Sequence, residues 1–164
     1  MSKTNRNLTL VESIKKLPNP IANKLLTFIV RKSVKLLDTT HTRVISWDQK
    51  HCQVALKNRK CVQNHIGSVH AAAQVMLCET ATGLLLSLHL PNDVIQVVKN
   101  IEIDFCKKAN GNLIAIATLN GDEISMIQES AEGELIVPVK LYDQDENSPV
   151  DCQITWAWRK KQKA

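Results

Sequence analysis

The stretch from Val69 to Leu90 is apolar on nearly every side and closes at Pro91. Its composition suits one long helix, about 30 Å if helical throughout. A membrane span has the same length, but His70, Gln74, Glu79 and His89 are spread along it, and a carboxylate in mid-bilayer is strongly unfavourable. A helix apolar on all sides and outside a membrane must be wrapped by other structure.

On the N-terminal side the pattern predicts a short helix over 8–17, stopped near Pro18 and Pro20. A second helix is expected over 21–37, with Ile21, Leu25, Phe28, Ile29 and Leu36 as its apolar face. Short strands follow at 43–47 and 51–57, with Val54 and Leu56 alternating with polar or small neighbours. A polar connector over 58–63 leads to the long helix.

Beyond Pro91 the chain reads almost entirely as strand. Residues 94–108 form a long run with Ile101, Ile103 and Phe105 on one face and Asn100, Glu102 and Asp104 on the other. Asn110-Gly111 predicts a tight hairpin into a return strand over 112–119. A short helix over 122–131 is followed by a strand over 134–142, where Pro138 implies an edge or a bulge. The last strand, 151–159, alternates Cys152, Ile154, Trp156 and Trp158 with Asp151, Gln153, Thr155 and Ala157. Segregated helices and antiparallel strands argue an α+β class, with a curved sheet around the long helix.

The 164 residues suit one domain, and 44% hydrophobic content supports a core built mainly from aliphatic side chains. The net charge of +5 is partly local, with clusters at Arg59-Lys60 and at Arg159, Lys160, Lys161 and Lys163. No zinc-finger spacing, aromatic RNP-type strand or helix-turn-helix signature accompanies that charge, so nucleic acid is not the expected partner. The five cysteines, Cys52, Cys61, Cys78, Cys106 and Cys152, contain no C-x-x-C pair, and no signal peptide is apparent. Reduced cysteines acting as small apolar residues in a cytoplasmic setting are expected, without a metal site.

The chemistry concentrates in Asn64-x-x-Gly67-Ser68-x-His70-Ala71-Ala72 and in Glu79. Gly67 lets the chain turn into the helix, and Ser68 is placed to cap it. The first-turn amides around His70, Ala71 and Ala72 then lack intrahelical partners and can polarise a carbonyl. Glu79 is a carboxylate inside an apolar helix, where burial raises its pKa and suits it to act as base or nucleophile. Eight positions separate Ala71 from Glu79, about 12 Å along one helix. The two can serve one carbonyl only if a second, antiparallel copy of the helix lies alongside, so a catalytic site here calls for a two-fold dimer.

The segment Asn64–Ala73, with Glu79-Thr80-Ala81 beyond it, resembles the hotdog-fold acyl-CoA thioesterase superfamily, most of all an uncharacterised branch described only as a domain of unknown function. The usual pattern there is an Asn, a Gly three residues on, a His-Gly-Gly at the helix start, and an Asp or Glu nine positions after the His. The resemblance covers roughly residues 40–159. It implies a hotdog domain over 41–159, a helical extension over 1–40 and a basic tail over 160–164. It also implies that the Ala71 amide polarises a thioester carbonyl, that the partner's Glu79 activates water or attacks directly, and that Asn64 positions the water or the carbonyl. His70 would shape the helix start and contact the thioester. Gly67 and Ser68, with Arg59 and Lys60, would serve the coenzyme A moiety of the substrate, and no separate cofactor is implied. A homodimer or homotetramer is the implied assembly. Ala71-Ala72 stands where the family often has Gly-Gly; the methyl groups keep the amides but narrow the approach of the pantetheine arm.

Plainer roles stand beside these. Glu79 could be satisfied by a neighbouring Thr or amide, Asn64 could only hold the loop, and His70 could only begin the helix. Gln74 suits packing; His65 and His70 lack a third metal ligand; Thr80 and Thr82 have no adjacent base; Gly83 would let two helices approach closely. Two functions therefore compete: hydrolysis of an acyl thioester, and non-catalytic binding of an acyl-CoA or fatty acyl ligand. A hotdog dehydratase is a weaker third, because the Pro-Gly context of its loop His is missing.

Overall fold

The computed structural model describes residues 5–161. The long apolar segment is helix α4, Ala71–Ser87, two residues shorter at its start and three at its end than the apolar run. Leu77, Cys78, Ala81, Leu85 and Leu86 on it are fully enclosed. The enclosure is a strongly curved antiparallel sheet.

That sheet has two hydrogen-bonded parts. Strands β1 (Arg43–Trp47), β2 (His51–Leu56), β4 (Leu113–Thr118) and β6 (Val139–Tyr142) run in the order β1-β2-β4-β6. Strands β3 (Val94–Phe105), β7 (Val150–Lys160) and β5 (Gly133–Val137) run in the order β3-β7-β5. Pro138 separates β5 from β6, so one length of chain pairs first with β7 and then with β4. The expected strand over 134–142 is thus split in two, and each piece is the last strand of its part of the sheet, the edge that Pro138 implied. Pro138 has no N–H to give a ladder, its carbonyl accepts from the Thr118 amide at 3.1 Å, and the sheet folds over the helix there.

β7 buries Val150, Cys152, Ile154, Trp156 and Trp158, the alternation expected. β3 departs from its pattern. Its register to β7 shifts between Val98 and Asn100, leaving Lys99 as an extra residue. An inserted residue reverses which side chains face inward. Val94, Gln96 and Val98 therefore share the inner face with Ile101 and Ile103.

The Asn110-Gly111 hairpin does not form, because β3 and β4 lie in different parts of the sheet. The Asp143 loop captures the segment instead. The Asn110 amide donates to Asp143 Oδ2 at 3.1 Å, and Asn110 Nδ2 donates to Asp145 Oδ2 at 2.6 Å. Helix α5 (Gly121–Glu129) begins at a capping box in which Asn120 Oδ1 accepts from the Glu123 amide and Glu123 Oε2 accepts from the Asn120 amide.

Three helices precede the sheet: α1 (Arg6–Ile14), α2 (Asn19–Ser33) and α3 (Lys35–Thr39). The single helix expected over 21–37 is broken at Val34, whose backbone is extended at φ −119° and ψ 101°. The break turns Leu37 into the core and leaves Leu36 outside. The buried face of α2 is Ala22, Leu26 and Val30, whereas Ile21, Leu25 and Phe28 are exposed. Both sets have helical spacing; the one that meets β1 is buried. Asn5 ties the extension to the domain. Its Oδ1 caps α1 at the Leu8 amide, while Nδ2 donates to the carbonyls of Ser87 and Leu90 at the end of α4.

The C-terminal basic residues divide. Lys160 ends β7, Lys161 Nζ donates to the Asn92 carbonyl, and residues 162–164 lie outside the described residues.

Candidate functional site

The two halves of the predicted constellation sit at different places on α4. At its N-terminus, Asn64 holds a tight loop: its Oδ1 accepts from the amides of Ile66 and Ser68, both at 3.1 Å. Gly67 takes φ +75°, a left-handed conformation that L side chains rarely adopt. Asn58 Nδ2 donates to the Gly67 carbonyl at 3.0 Å, which sets exposed Arg59 and Lys60 beside this loop. Lys161 lies at the other end of α4, against the residues that follow it.

Ser68 is not the helix cap. It is buried, and its Oγ donates to the Ala109 carbonyl at 2.5 Å, pinning the loop to the end of the β3 connection. The cap is His70, whose Nδ1 accepts from the Ala72 amide at 3.1 Å. An accepting Nδ1 places the proton of the neutral ring on Nε2. The Ala71 amide, exposed in the first turn, has no hydrogen bond among the described residues. Nor do Asn64 Nδ2 and His70 Nε2, so three donors are left at this end of the helix. Gln74 packs inward, with Nε2 donating to the Val69 carbonyl at 3.0 Å.

Glu79 lies two turns further on and is half-buried. Burial alone pushes its pKa up. Its carboxylate accepts no hydrogen bond among the described residues. The two threonines that could have satisfied it are engaged elsewhere: Thr80 Oγ1 donates to the Met76 carbonyl, and Thr82 Oγ1 bonds the carbonyls of Cys78 and Glu79 and accepts from Trp156 Nε1. The side chain lines a cavity of about 260 Å³ between α4, the N-terminal helices and the two tryptophans Trp47 and Trp156. Asn64, His70 and Ala71 do not line it.

Gln96 was not singled out by the sequence. It lines the same cavity, donates from Nε2 to the Gly83 carbonyl at 2.9 Å, and has a buried Oε1 without a partner. The bulge at Lys99 conceals it, since strict alternation from Ile101 puts residue 96 outside. Gly83 admits a ring of the sheet, not a second helix: an added Cβ would stand 2.8 Å from the Trp156 ring.

All five cysteines are free, with Cys52, Cys78 and Cys152 buried. Among the described residues no cluster of three or more His, Cys, Asp or Glu could hold a metal ion, and no helix is long and apolar enough to cross a membrane.

The sequence profile of a family described as a domain of unknown function, DUF4442, matches residues 22–158. No curated protein matches the chain. Among solved structures, it is similar to a Pseudomonas aeruginosa protein of unknown function named "Probable Thioesterase", at 19% identity and TM-score 0.75, covering 88% of this chain and 97% of that one. It is also similar to a thioesterase from Haemophilus influenzae, at 14% identity and TM-score 0.66, covering 88% and 92%. A thioesterase family protein from Silicibacter pomeroyi matches at 9% identity and TM-score 0.68, covering 82% and 96%. At these identities the likeness is one of fold: a curved sheet around a central helix.

Proposed function

This chain belongs to the DUF4442 family and has the hotdog fold, and from that premise we propose that it is a thioesterase acting on an acyl-CoA or related acyl thioester at a dimer interface. The observation that carries the proposal is Glu79, a half-buried carboxylate on a cavity wall, raised in pKa and without a hydrogen-bond donor. Taking a carboxylate partly out of water without a hydrogen-bond donor is unfavourable, and groups perturbed in this way cluster at functional sites.

In the proposed reaction Glu79 takes a proton from water as the oxygen attacks the thioester carbonyl carbon. The Ala71 amide of the other subunit receives the developing oxyanion. Asn64 and His70 supply further donors at that helix end. Collapse breaks the C–S bond, the thiolate leaves with the proton from Glu79, and the acyl group departs as a carboxylic acid. Arg59 and Lys60, beside the Gly67 loop, would meet the phosphates of coenzyme A.

The dimer rests on β3. It is the last strand of its sheet, twelve residues long, with no strand on its outer edge among the described residues and with Ile101 and Phe105 exposed. A long apolar edge is a template for strand pairing. Pairing of two β3 edges would lay two α4 helices antiparallel, with each Glu79 toward the other helix start.

The test is thiol release from a panel of acyl-CoAs by the wild type and by Glu79→Gln. Release that vanishes in the variant supports the reading. Binding of acyl-CoA with no release from any thioester would overturn hydrolysis in favour of a non-catalytic acyl-CoA binder.

A further inference from the structure

The N-terminal helices do more than cover the domain. The cavity that Glu79 lines is asymmetric. Its α4 side carries the polar groups, Glu79 with Gln96 and Ser87 nearby. Its opposite side comes from the extension and is mostly apolar: Leu10 of α1, Ile29 and Val30 of α2, and Leu37 of α3, with Trp47 and Trp156 as the aromatic walls and Asn7 and Ser33 as the polar exceptions. Both tryptophans are fixed. Trp47 Nε1 donates to the Leu84 carbonyl at 3.1 Å, and Trp156 Nε1 donates to Thr82 Oγ1 at 2.9 Å. The break at Val34 gives this wall its shape, since a straight helix would carry Leu37 away from the core.

We propose that this cavity takes the acyl tail of the substrate, so that helices α1–α3 set the chain length and favour an unbranched aliphatic acyl group of medium length. The inference rests on the thioesterase reading for the identity of the head group. A site with polar groups at one end and apolar walls beyond is what an acyl chain needs: the carbonyl stays at α4, near Glu79, and the methyl end points to α2 and α3. The volume of about 260 Å³ lies just under the range of sites that take a whole drug-sized ligand, which leaves room for an acyl tail of limited length. Leu10 and Gln96 also line an open groove between α1 and the start of β3, next to the cavity.

Two measurements test this. The first is kcat/KM from acetyl- to palmitoyl-CoA for the wild type, Leu10→Phe and Ile29→Phe. Filling the cavity should lower the ratio of medium-chain to acetyl turnover by about tenfold or more, the scale of losing one or two methylenes of pocket. The second does not need turnover: a fatty acid brominated at its terminal carbon should quench the fluorescence of wild-type Trp47 and Trp156, and the quench should be lost in both variants. Turnover with an unchanged chain-length ratio and no quench overturns the tail site and leaves the thioesterase standing. Quench without turnover of any thioester keeps the tail site and overturns hydrolysis. Neither quench nor turnover overturns both.

Discussion

The two ends of the chemistry on α4 differ in almost every physical respect. At the start of the helix the groups are exposed, the donors are backbone and ring N–H, and the conformation is held by a loop of short polar links around Asn64 and Gly67. Two turns on, Glu79 is half-buried and Gly83 buried between the sheet and α1–α3, and the Glu79 carboxylate and Gln96 Oε1 lack partners among the described residues. A first-turn amide works by facing outward, whereas a carboxylate is tuned by being taken out of water. One helix cannot bring both conditions to one point, which is why the proposed site draws its two halves from two chains.

The largest effect should come from the enclosed end. Glu79→Gln should lower kcat/KM by about 10³-fold, within the range for a positioned general base. Because burial holds the Glu79 pKa up, wild-type kcat/KM should rise with pH through that raised pKa, and the residual activity of Glu79→Gln should not. The stability consequence has the opposite sign. A carboxyl whose folded pKa is raised stabilises below its unfolded pKa and loses that contribution as pH rises through the folded value. Glu79→Gln should therefore raise Tm more at alkaline than at acid pH.

Next in size is Gly83→Ala. Alanine is favoured over glycine in a helix by about 1 kcal/mol, but the added methyl meets a Trp156 ring locked by its bond to Thr82, and such overpacking costs about 1–3 kcal/mol. A net loss of up to ~2 kcal/mol in urea unfolding is expected; a net gain would mean that Trp156 moves freely. At the exposed end the effects are smaller. Gly67→Ala has open space around the new Cβ, so it should cost only the conformational term of about 1 kcal/mol. His70→Ala should cost about 0.5–1 kcal/mol through the lost cap at the Ala72 amide, seen as a lower Tm.

The same contrast explains what the sequence made legible. The wrapped helix follows from an apolar run too polar for a membrane, and β7 follows from strict alternation of Cys152, Ile154, Trp156 and Trp158. The loop glycine and Glu79 stand out because their residue types are unusual where they occur. What escaped depends on partners distant in sequence. The bulge at Lys99 is visible only in the register to β7, and it moved Gln96 to the inner face. The buried face of α2 is chosen by β1, because Ile21, Leu25 and Phe28 have as good a spacing as Ala22, Leu26 and Val30. Asn110-Gly111 turns no hairpin because the strands on either side of it belong to different parts of the sheet, and Asp143 takes its amide. The choice between Ser68 and His70 as cap was made by the Ala109 carbonyl, forty-one residues away.

Subunit complementation tests the composite site most directly. Ala71→Pro removes the outward amide at the first helical position, where proline is tolerated, and His70 already has the extended backbone at φ −59° and ψ 143° that precedes proline. Ala71→Pro and Glu79→Gln homodimers should each be inactive yet folded. In an equal mixture with free exchange of subunits, half the dimers carry one intact site, so activity should return to about one quarter of wild type. Mixtures that form heterodimers and stay as inactive as their parents would contradict a site shared between two chains.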